Sequence, residues 1–271
     1  MAQLIGAASL VVSFFLPVSA KAATSDWVSS PGGMIRLVAA PPKEDGTIPA
    51  TLEIKLNAGW KTYWREPGAS GIPPQVTLDP AGGVVLEKIG FPVPKSFDDG
   101  VVRYVGYDKS VAFPLTLKRI HGNGDVNIRA SVFLGICEDI CIPVQGELTL
   151  ALKQGSFDNP LDEARIDDAV AALPEAPSED FAVTASRYDA AAARLHLSLR
   201  LPAGDSHPEL FLAGPPGVSF GKPEIRPEGS AELSATVPVR LSAKDGELKG
   251  KPIVLTVRAK NRSMETTLAF D

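Results

Sequence analysis

The pair Cys137 and Cys141 constrains the fold more than any other feature, because the 271-residue chain has two cysteines and both lie here. An apolar run, Val126 to Leu134, leads into the pair, and an alternating run, Gly146 to Leu152, leads out of it. Opposed residues of an antiparallel ladder lie about 4.5–5.5 Å apart, and a disulfide needs Cα atoms about 4.4–6.8 Å apart. The sequence therefore predicts a β-hairpin with a disulfide-capable pair at its tip.

The small ring that this disulfide would close favours a chemical role over a purely structural one. Loop-closure entropy gives such a ring about 2 kcal/mol of stabilisation, against about 3 kcal/mol for a 15-residue loop. Glu138 and Asp139 lie between the cysteines and place negative charge beside both sulfurs, which disfavours the thiolate. We therefore expect a reducing pair that gives its electrons away.

Composition and the amino-terminal residues indicate an exported globular protein. Pro and Gly number 24 each, which favours β-structure with many turns, and a formal net charge of −5 gives no basic surface for nucleic acid. Leu4 to Leu16 is apolar but short for a membrane span, and Ala20-Lys21-Ala22 fits a cleavage site, so residues 1–22 are predicted to be a signal peptide. No later segment has the ~18 consecutive apolar residues of a membrane span. The mature protein is expected to be soluble, in an oxidising compartment where disulfides persist.

Strand-like alternation dominates the chain on both sides of one predicted helix. Leu52, Ile54 and Leu56 alternate with polar residues within residues 23–158, which are predicted to form a β-sandwich. Leu195 to Leu201 alternates in the same way within residues 181–271, which are predicted to form a second one.

The segment between the two predicted sandwiches, residues 159–180, reads as a helix followed by a linker. Asn159 suits the N-cap position and Pro160 suits the first helical turn. Ile166, Val170 and Leu173 recur at helical spacing and are predicted to form the apolar face. The fold class predicted is therefore all-β, with two β-sandwich domains joined by a short helix and a linker.

Aromatic residues cluster in two stretches that could lie beside the cysteines. The stretch Trp60 to Gly68 is the densest aromatic patch, and we interpret it as a corner of the core, a wall beside the cysteine hairpin, or both. The stretch Phe97 to Tyr107 reads as a turn followed by a strand. The residues predicted to wall, cap or tune the pair are Trp60, Tyr63, Trp64, Tyr104, Tyr107, Glu138 and Asp139.

Two alternatives to a redox role stay open for the cysteine pair. Two thiolates suit the soft ion Cu(I), although Ile142 to Leu152 contains neither the His nor the Met that would complete such a site. A structural disulfide in a binding module is the other alternative. A catalytic triad and a phosphate-binding loop have no support, because the chain has three histidines and lacks the corresponding glycine motifs. For the redox role, we expect no cofactor and no metal.

Three stretches together resemble the periplasmic amino-terminal domain of the DsbD/ScsB family of thiol-disulfide interchange proteins. They are Gly59 to Gly68, the run Val105 to Leu115, and the Cys137–Cys141 hairpin that ends in Ile142-Pro143. The resemblance covers roughly residues 30–152 and implies an immunoglobulin-like sandwich. The three-residue spacing of the cysteines is more similar to the ScsB branch than to the best-known members, which have five residues there.

The resemblance also implies a route for electrons. In this family the pair takes electrons from a membrane-embedded donor and reduces periplasmic thioredoxin-fold proteins, and a loop caps the pair. The second cysteine, Cys141 here, forms the mixed disulfide and Cys137 resolves it, while Tyr104 and Tyr107 are the cap candidates. Because the sequence ends at Asp271 without a membrane domain, we expect the donor to be a separate membrane thiol carrier. Neither a nucleic-acid partner nor a small-molecule substrate is expected.

Overall fold

Where the structure describes it, the chain forms antiparallel β-sheets with one α-helix between two groups of strands. The computed structural model describes residues 24–68, 71–98, 103–122, 124–153, 159–202, 207–229, 231–242, 248 and 250–270. The predicted signal peptide, residues 1–22, lies outside this part of the chain. Within the described residues the fold class is all-β, with immunoglobulin-like sandwiches, as predicted. The domain boundaries at residues 158/159 and 180/181 stay a prediction.

The first group of strands packs two sheets face to face. One sheet has the order β1-β2-β3-β9-β6, and the other has the order β11-β10-β4-β8-β7 with β5 beside β10. The predicted alternation in β3 is confirmed, because Leu52 and Ile54 are buried while Lys55 is exposed. The strands are β1 (Val28–Ser30), β2 (Gly33–Ala39), β3 (Thr47–Leu56), β4 (Lys61–Tyr63), β5 (Gln75–Leu78), β6 (Val84–Ile89), β7 (Lys95–Asp98), β8 (Arg103–Tyr107), β9 (Val111–Arg119), β10 (Val126–Cys137) and β11 (Cys141–Leu152).

Helix α1 (Pro160–Ala171) begins where the sequence predicts it, because the Asn159 side chain accepts a hydrogen bond from the Leu161 amide at 3.1 Å. Its buried face differs from the predicted one. Ile166 and Ala169 are buried, whereas Val170 is 52% exposed. Val170 follows Ala169 by one residue, about 100° around the helix, and the packed face is the one that contains Ala169. No helix among the described residues is long and apolar enough to cross a membrane.

The second group of strands forms another sandwich with its own apolar core. One sheet has the order β12-β13-β17-β15 with β16 beside β17, and the other has the order β14-β18-β19. The predicted strand at Leu195 to Leu201 is confirmed as β13. The strands are β12 (Ala182–Asp189), β13 (Arg194–Arg200), β14 (Glu209–Ala213), β15 (Val218–Phe220), β16 (Glu224–Pro227), β17 (Glu232–Leu241), β18 (Ile253–Ala259) and β19 (Arg262–Leu268).

Strand β14 is buried on both faces because it lies between the two cores. Leu210 and Leu212 pack into the second core, and Phe211 and Ala213 pack into the first. The Phe211 ring meets the ring of fully buried Trp64 edge-on, with centroids 6.1 Å apart. The second sandwich thus completes the apolar core of the first.

A charged contact also joins the two sandwiches beside Trp64. Arg65 donates two hydrogen bonds to the Glu265 carboxylate, at 2.9 and 3.2 Å, and its guanidinium lies 4.7 Å from the centroid of the Phe91 ring. Thr256 donates to the same carboxylate at 2.8 Å, which fixes its orientation. The segment that follows β4 is therefore held against the second sandwich by both apolar and charge-assisted contacts.

Arg262 fixes the linker to the second sandwich, and its effect on the pKa of Asp180 can be tested. It donates to Glu175 at 2.8 Å and to Asp180 at 2.6 Å. The hydrogen bond from Arg262 lowers the pKa of Asp180 from 3.8 to about 2. Because the folded value is depressed, the resulting stabilisation is present above the unfolded pKa and is lost as the pH falls towards 2. We expect the NMR titration midpoint of Asp180 to rise towards 4 in Arg262→Gln, and an unchanged midpoint would contradict the assignment.

Candidate redox site

The cysteine pair closes the β10–β11 hairpin. The two strands pair in continuous register from Val126 opposite Leu152 to Cys137 opposite Cys141. The cysteines form a disulfide with their Cα atoms 4.1 Å apart, and Glu138-Asp139-Ile140 makes the connecting loop. The hairpin predicted from the two flanking runs is confirmed, and the ladder register brings the sulfurs together.

The two cysteines differ in access to solvent. Cys137 is 7% exposed, whereas Cys141 belongs to the exposed residues of the chain. Ile140, which precedes Cys141, is 70% exposed. An incoming protein thiol or disulfide can therefore reach the sulfur of Cys141 more readily than that of Cys137.

The Tyr63 hydroxyl lies against both sulfurs, 3.0 Å from Cys137 Sγ and 2.9 Å from Cys141 Sγ. Strand β4 brings it there because Thr62 pairs with Ile136 of β10 and its hydroxyl donates to the Gly135 carbonyl at 2.9 Å. Burial, together with the neighbouring Tyr104, raises the pKa of Tyr63 above 10.0. Tyr63 is thus a neutral hydroxyl donor across the physiological pH range.

Gly135 makes room for the Tyr63 ring. A Cβ atom at this position would lie 2.9 Å from a carbon of the Tyr63 ring and 2.9 Å from Cβ of Ile72. We expect Gly135→Ala to cost about 1–3 kcal/mol of unfolding free energy, because overpacking forces buried side chains to move. We also expect slower thiol-disulfide exchange as Tyr63 is displaced. Chemical denaturation and exchange kinetics check the two parts, and wild-type behaviour in both would contradict this packing.

Aromatic side chains of the β7–β8 hairpin cover Tyr63. The Tyr104 ring meets Tyr63 edge-on, with centroids 5.8 Å apart, and Phe97 stacks on Tyr104 at 4.9 Å. Lys61, which pairs with Cys137 in the β4–β10 ladder, places its ammonium 5.7 Å from the centroid of the Phe97 ring. The loop between Asp98 and Arg103 lies outside the described residues. We call Phe97 and Tyr104 the aromatic cover of the site.

Sequence reasoning did not single out Phe97 or Lys61. Both lie within the two aromatic stretches that the sequence analysis marked. Lys61 and Tyr63 are two residues apart on β4 and therefore share one face of the strand. The strand order that places β8 next to β4, and β7 next to β8, is not a local property of the sequence.

The other predicted site residues differ in what they contact and in how deeply they are buried. The carboxylate of Glu138 lies over Gly59, and Asp139 is exposed in the hairpin loop. The Trp60 ring packs against Gly32. Tyr107 is buried in the core of the first sandwich, where its hydroxyl donates to the Pro92 carbonyl at 2.8 Å.

Trp64 is likewise a core residue of the first sandwich. Tyr63 thus contacts the pair, Tyr104 contacts Tyr63, and the two acidic residues lie in the connecting loop, whereas Tyr107 and Trp64 face the core. Within the described part of the chain, no group of three or more His, Cys, Asp or Glu side chains is placed to hold a metal ion.

Two family models match the chain, one for each group of strands. The model of the thiol:disulfide interchange protein DsbD, N-terminal, matches residues 36–153. A domain family of unknown function, DUF8393, matches residues 172–271. The first match contains the cysteine pair, Tyr63 and the aromatic cover. The second contains the strands that pack behind β4.

A solved structure matches almost the whole chain. It is the N-terminal periplasmic domain of ScsB from Proteus mirabilis, with 28% sequence identity and a TM-score of 0.71. The match covers 93% of this chain and 100% of the other. No curated protein sequence matches the chain. Residues 36–153 therefore form an amino-terminal domain of the DsbD/ScsB family of thiol-disulfide interchange proteins.

Proposed function

We propose that this chain is a periplasmic electron shuttle whose Cys137–Cys141 pair cycles between dithiol and disulfide. The observation that carries the proposal is an exposed Cys141 bonded to a buried Cys137, with one tyrosine hydroxyl against both sulfurs. A structural disulfide needs no such difference in exposure, whereas an exchange reaction needs one sulfur that a partner can reach. Family membership and the periplasmic origin of the matched ScsB domain support the same assignment.

The reaction begins with the reduced pair. The Cys141 thiolate attacks one sulfur of a partner disulfide, so that a Cys141–partner bond forms and the other partner sulfur leaves as a thiolate and takes up a proton. The Cys137 thiolate then attacks Cys141 Sγ, which re-forms the internal disulfide and releases the second partner thiolate. Two electrons and two protons pass to the partner, and this chain is oxidised.

The partners follow from the chemistry of each half-reaction. The acceptor is a periplasmic thioredoxin-fold protein that presents a disulfide, and the donor is a membrane thiol carrier that presents a dithiol. The acidic residues Glu138 and Asp139 are exposed beside the pair, where they oppose thiolate formation. We expect a reduction potential nearer to that of thioredoxin, about −270 mV, than to the −120 mV or so of a strong periplasmic oxidant. Equilibration with a redox buffer measures it, and a value near −120 mV would contradict the reducing role.

Trapping in the periplasm of the source organism tests the exchange and names the partners. Cys137→Ala leaves the exposed Cys141 free, and Cys141→Ala leaves the buried Cys137 free as a matched control. After acid quenching and alkylation, we expect discrete mixed disulfides on a non-reducing gel for Cys137→Ala and few for the control. Mass spectrometry should identify a thioredoxin-fold protein or a membrane thiol carrier in the adducts.

The opposite result would point to one of the two alternatives. If Cys137→Ala stays monomeric and Cys141 resists alkylation, the exchange proposal fails. Stoichiometric Cu(I) uptake that the double Cys→Ser variant loses would then indicate copper binding. A large loss of stability on reduction would instead indicate a structural disulfide.

A further inference from the structure

We propose that the cleft between the two sandwiches binds a small organic anion with an apolar body, and that the bound anion restrains the aromatic cover of the cysteine pair. The ligand is a regulator of the site and is not consumed by the exchange reaction. The inference goes beyond the exchange function, because it assigns a binding site to the surface that both family domains form together.

The cleft has the size and position of a ligand site. Its volume is about 370 Å³, within the range of small-molecule sites, which often lie at domain interfaces. One wall is apolar and comes from both sandwiches. The apolar lining residues include Trp64, Val105, Leu210, Phe211, Leu212 and Phe220.

The rim of the cleft carries three cations, and the Glu66 carboxyl also belongs to the lining. Arg103, Lys222 and Arg240 line the cleft and are exposed. None of the three has a carboxylate partner within the part of the chain that the structure describes. By contrast, arginines elsewhere on the second sandwich pair with acidic residues, as Arg194 does with Glu224. An anion entering the cleft would therefore meet donors that are not already engaged, and guanidinium groups can bind a carboxylate with two hydrogen bonds.

Two polar groups lie near the apolar wall. Trp64, a lining residue, is fully buried, and its indole Nε1 has no hydrogen-bond acceptor among the described residues. A buried donor without an acceptor costs free energy. The Glu66 carboxyl lies in the same cleft, where burial raises its pKa. Anion binding therefore has to overcome the charge of this carboxyl group wherever it is ionised.

The cleft is mechanically connected to the cysteine site through the β7–β8 hairpin. Ser96 and Arg103 line the cleft, and they flank Phe97 and Tyr104, the two residues of the aromatic cover. A ligand that bridges Arg103 to Lys222 or Arg240 would tether this hairpin to the second sandwich. Binding would then favour conformations in which the cover stays closed over Tyr63 and the sulfurs.

The test uses the full chain and phthalate as the probe, with its neutral diamide and inorganic sulfate as comparison probes. Calorimetry and NMR shifts should show saturable phthalate binding with shifts at Leu212 and Phe220, and the diamide should not bind. The double variant Arg103→Gln/Arg240→Gln should weaken phthalate binding at least tenfold. Arg226→Gln is the matched control, because this exposed arginine also lacks a carboxylate partner among the described residues but does not line the cleft. It should bind within twofold of wild type.

Three outcomes would overturn the proposed site: no saturable phthalate binding, an equal loss of binding in Arg226→Gln, or sulfate binding as tight as that of phthalate. For the restraint, saturating phthalate should slow alkylation of Cys141 in the reduced chain at least threefold, and an unchanged rate would overturn it. The double Cys→Ser variant should bind phthalate as the wild type does. That result keeps a failure of the ligand site distinguishable from a failure of the exchange function.

Discussion

Tyr63→Phe is expected to slow thiol-disulfide exchange about five-fold at neutral pH while the fold stays intact. The substitution removes only the hydroxyl that lies 3.0 and 2.9 Å from the two sulfurs. In the dithiol state the same hydroxyl can donate to a thiolate, and a hydrogen bond to a charged group is worth about 1.5–3 kcal/mol. Its loss reduces the thiolate population by about ten-fold or more, and the higher intrinsic nucleophilicity of the less acidic thiol offsets roughly half of this effect on a logarithmic scale.

The pH dependence of the rate separates this role from a structural one. Because the pKa of Tyr63 is raised above 10.0, the phenol does not titrate below that pH, and the rise of the rate with pH reports the thiol. We expect this rise to move to higher pH in Tyr63→Phe. Tyr107→Phe is the matched control, since it removes a buried hydroxyl that bonds to the Pro92 carbonyl. It should leave the pH profile in place, and an unshifted profile in Tyr63→Phe would contradict the proposed hydrogen bond.

Phe211→Ala is expected to lower the free energy of unfolding by about 3–5 kcal/mol, the usual cost of truncating a buried phenylalanine. Phe211 belongs to the second sandwich by sequence but packs into the first core, where it is 3% exposed and contacts Trp64. Its truncation leaves a cavity between the sandwiches. We therefore also expect the thermal transition to split into two, because the shared core that couples the sandwiches is lost.

Calorimetry and chemical denaturation measure both effects. Phe133→Ala is a suitable control, because Phe133 is 37% exposed and loses less buried area, so we expect a cost of about 1 kcal/mol. If Phe211→Ala costs no more than the control, or if its unfolding stays in one transition, the second sandwich does not complete the core of the first in the way described above.

Several features of this fold could be predicted because they depend on neighbours in sequence. The Cys137–Cys141 hairpin follows from two alternating runs and a three-residue connection, and its register follows from the period of two along each strand. The helix start follows from the capping chemistry of Asn159. Val170 was predicted to lie on the buried face of the helix but is exposed. A spacing of three or four residues fits more than one helical face, and the packing partner selects among them.

The sequence by itself determined that the chain is all-β, where one helix begins, and that its two cysteines can close a hairpin. Tertiary structure decided where the aromatic residues lie: the Tyr63 hydroxyl meets the sulfurs and Tyr104 packs on Tyr63, while Tyr107 and Trp64 face the core. It also decided that β14 is shared between two cores. The physical reason is that alternation fixes which side chains share a face of a strand. Which strands become neighbours, and what covers each face, depends on contacts between residues far apart in the chain.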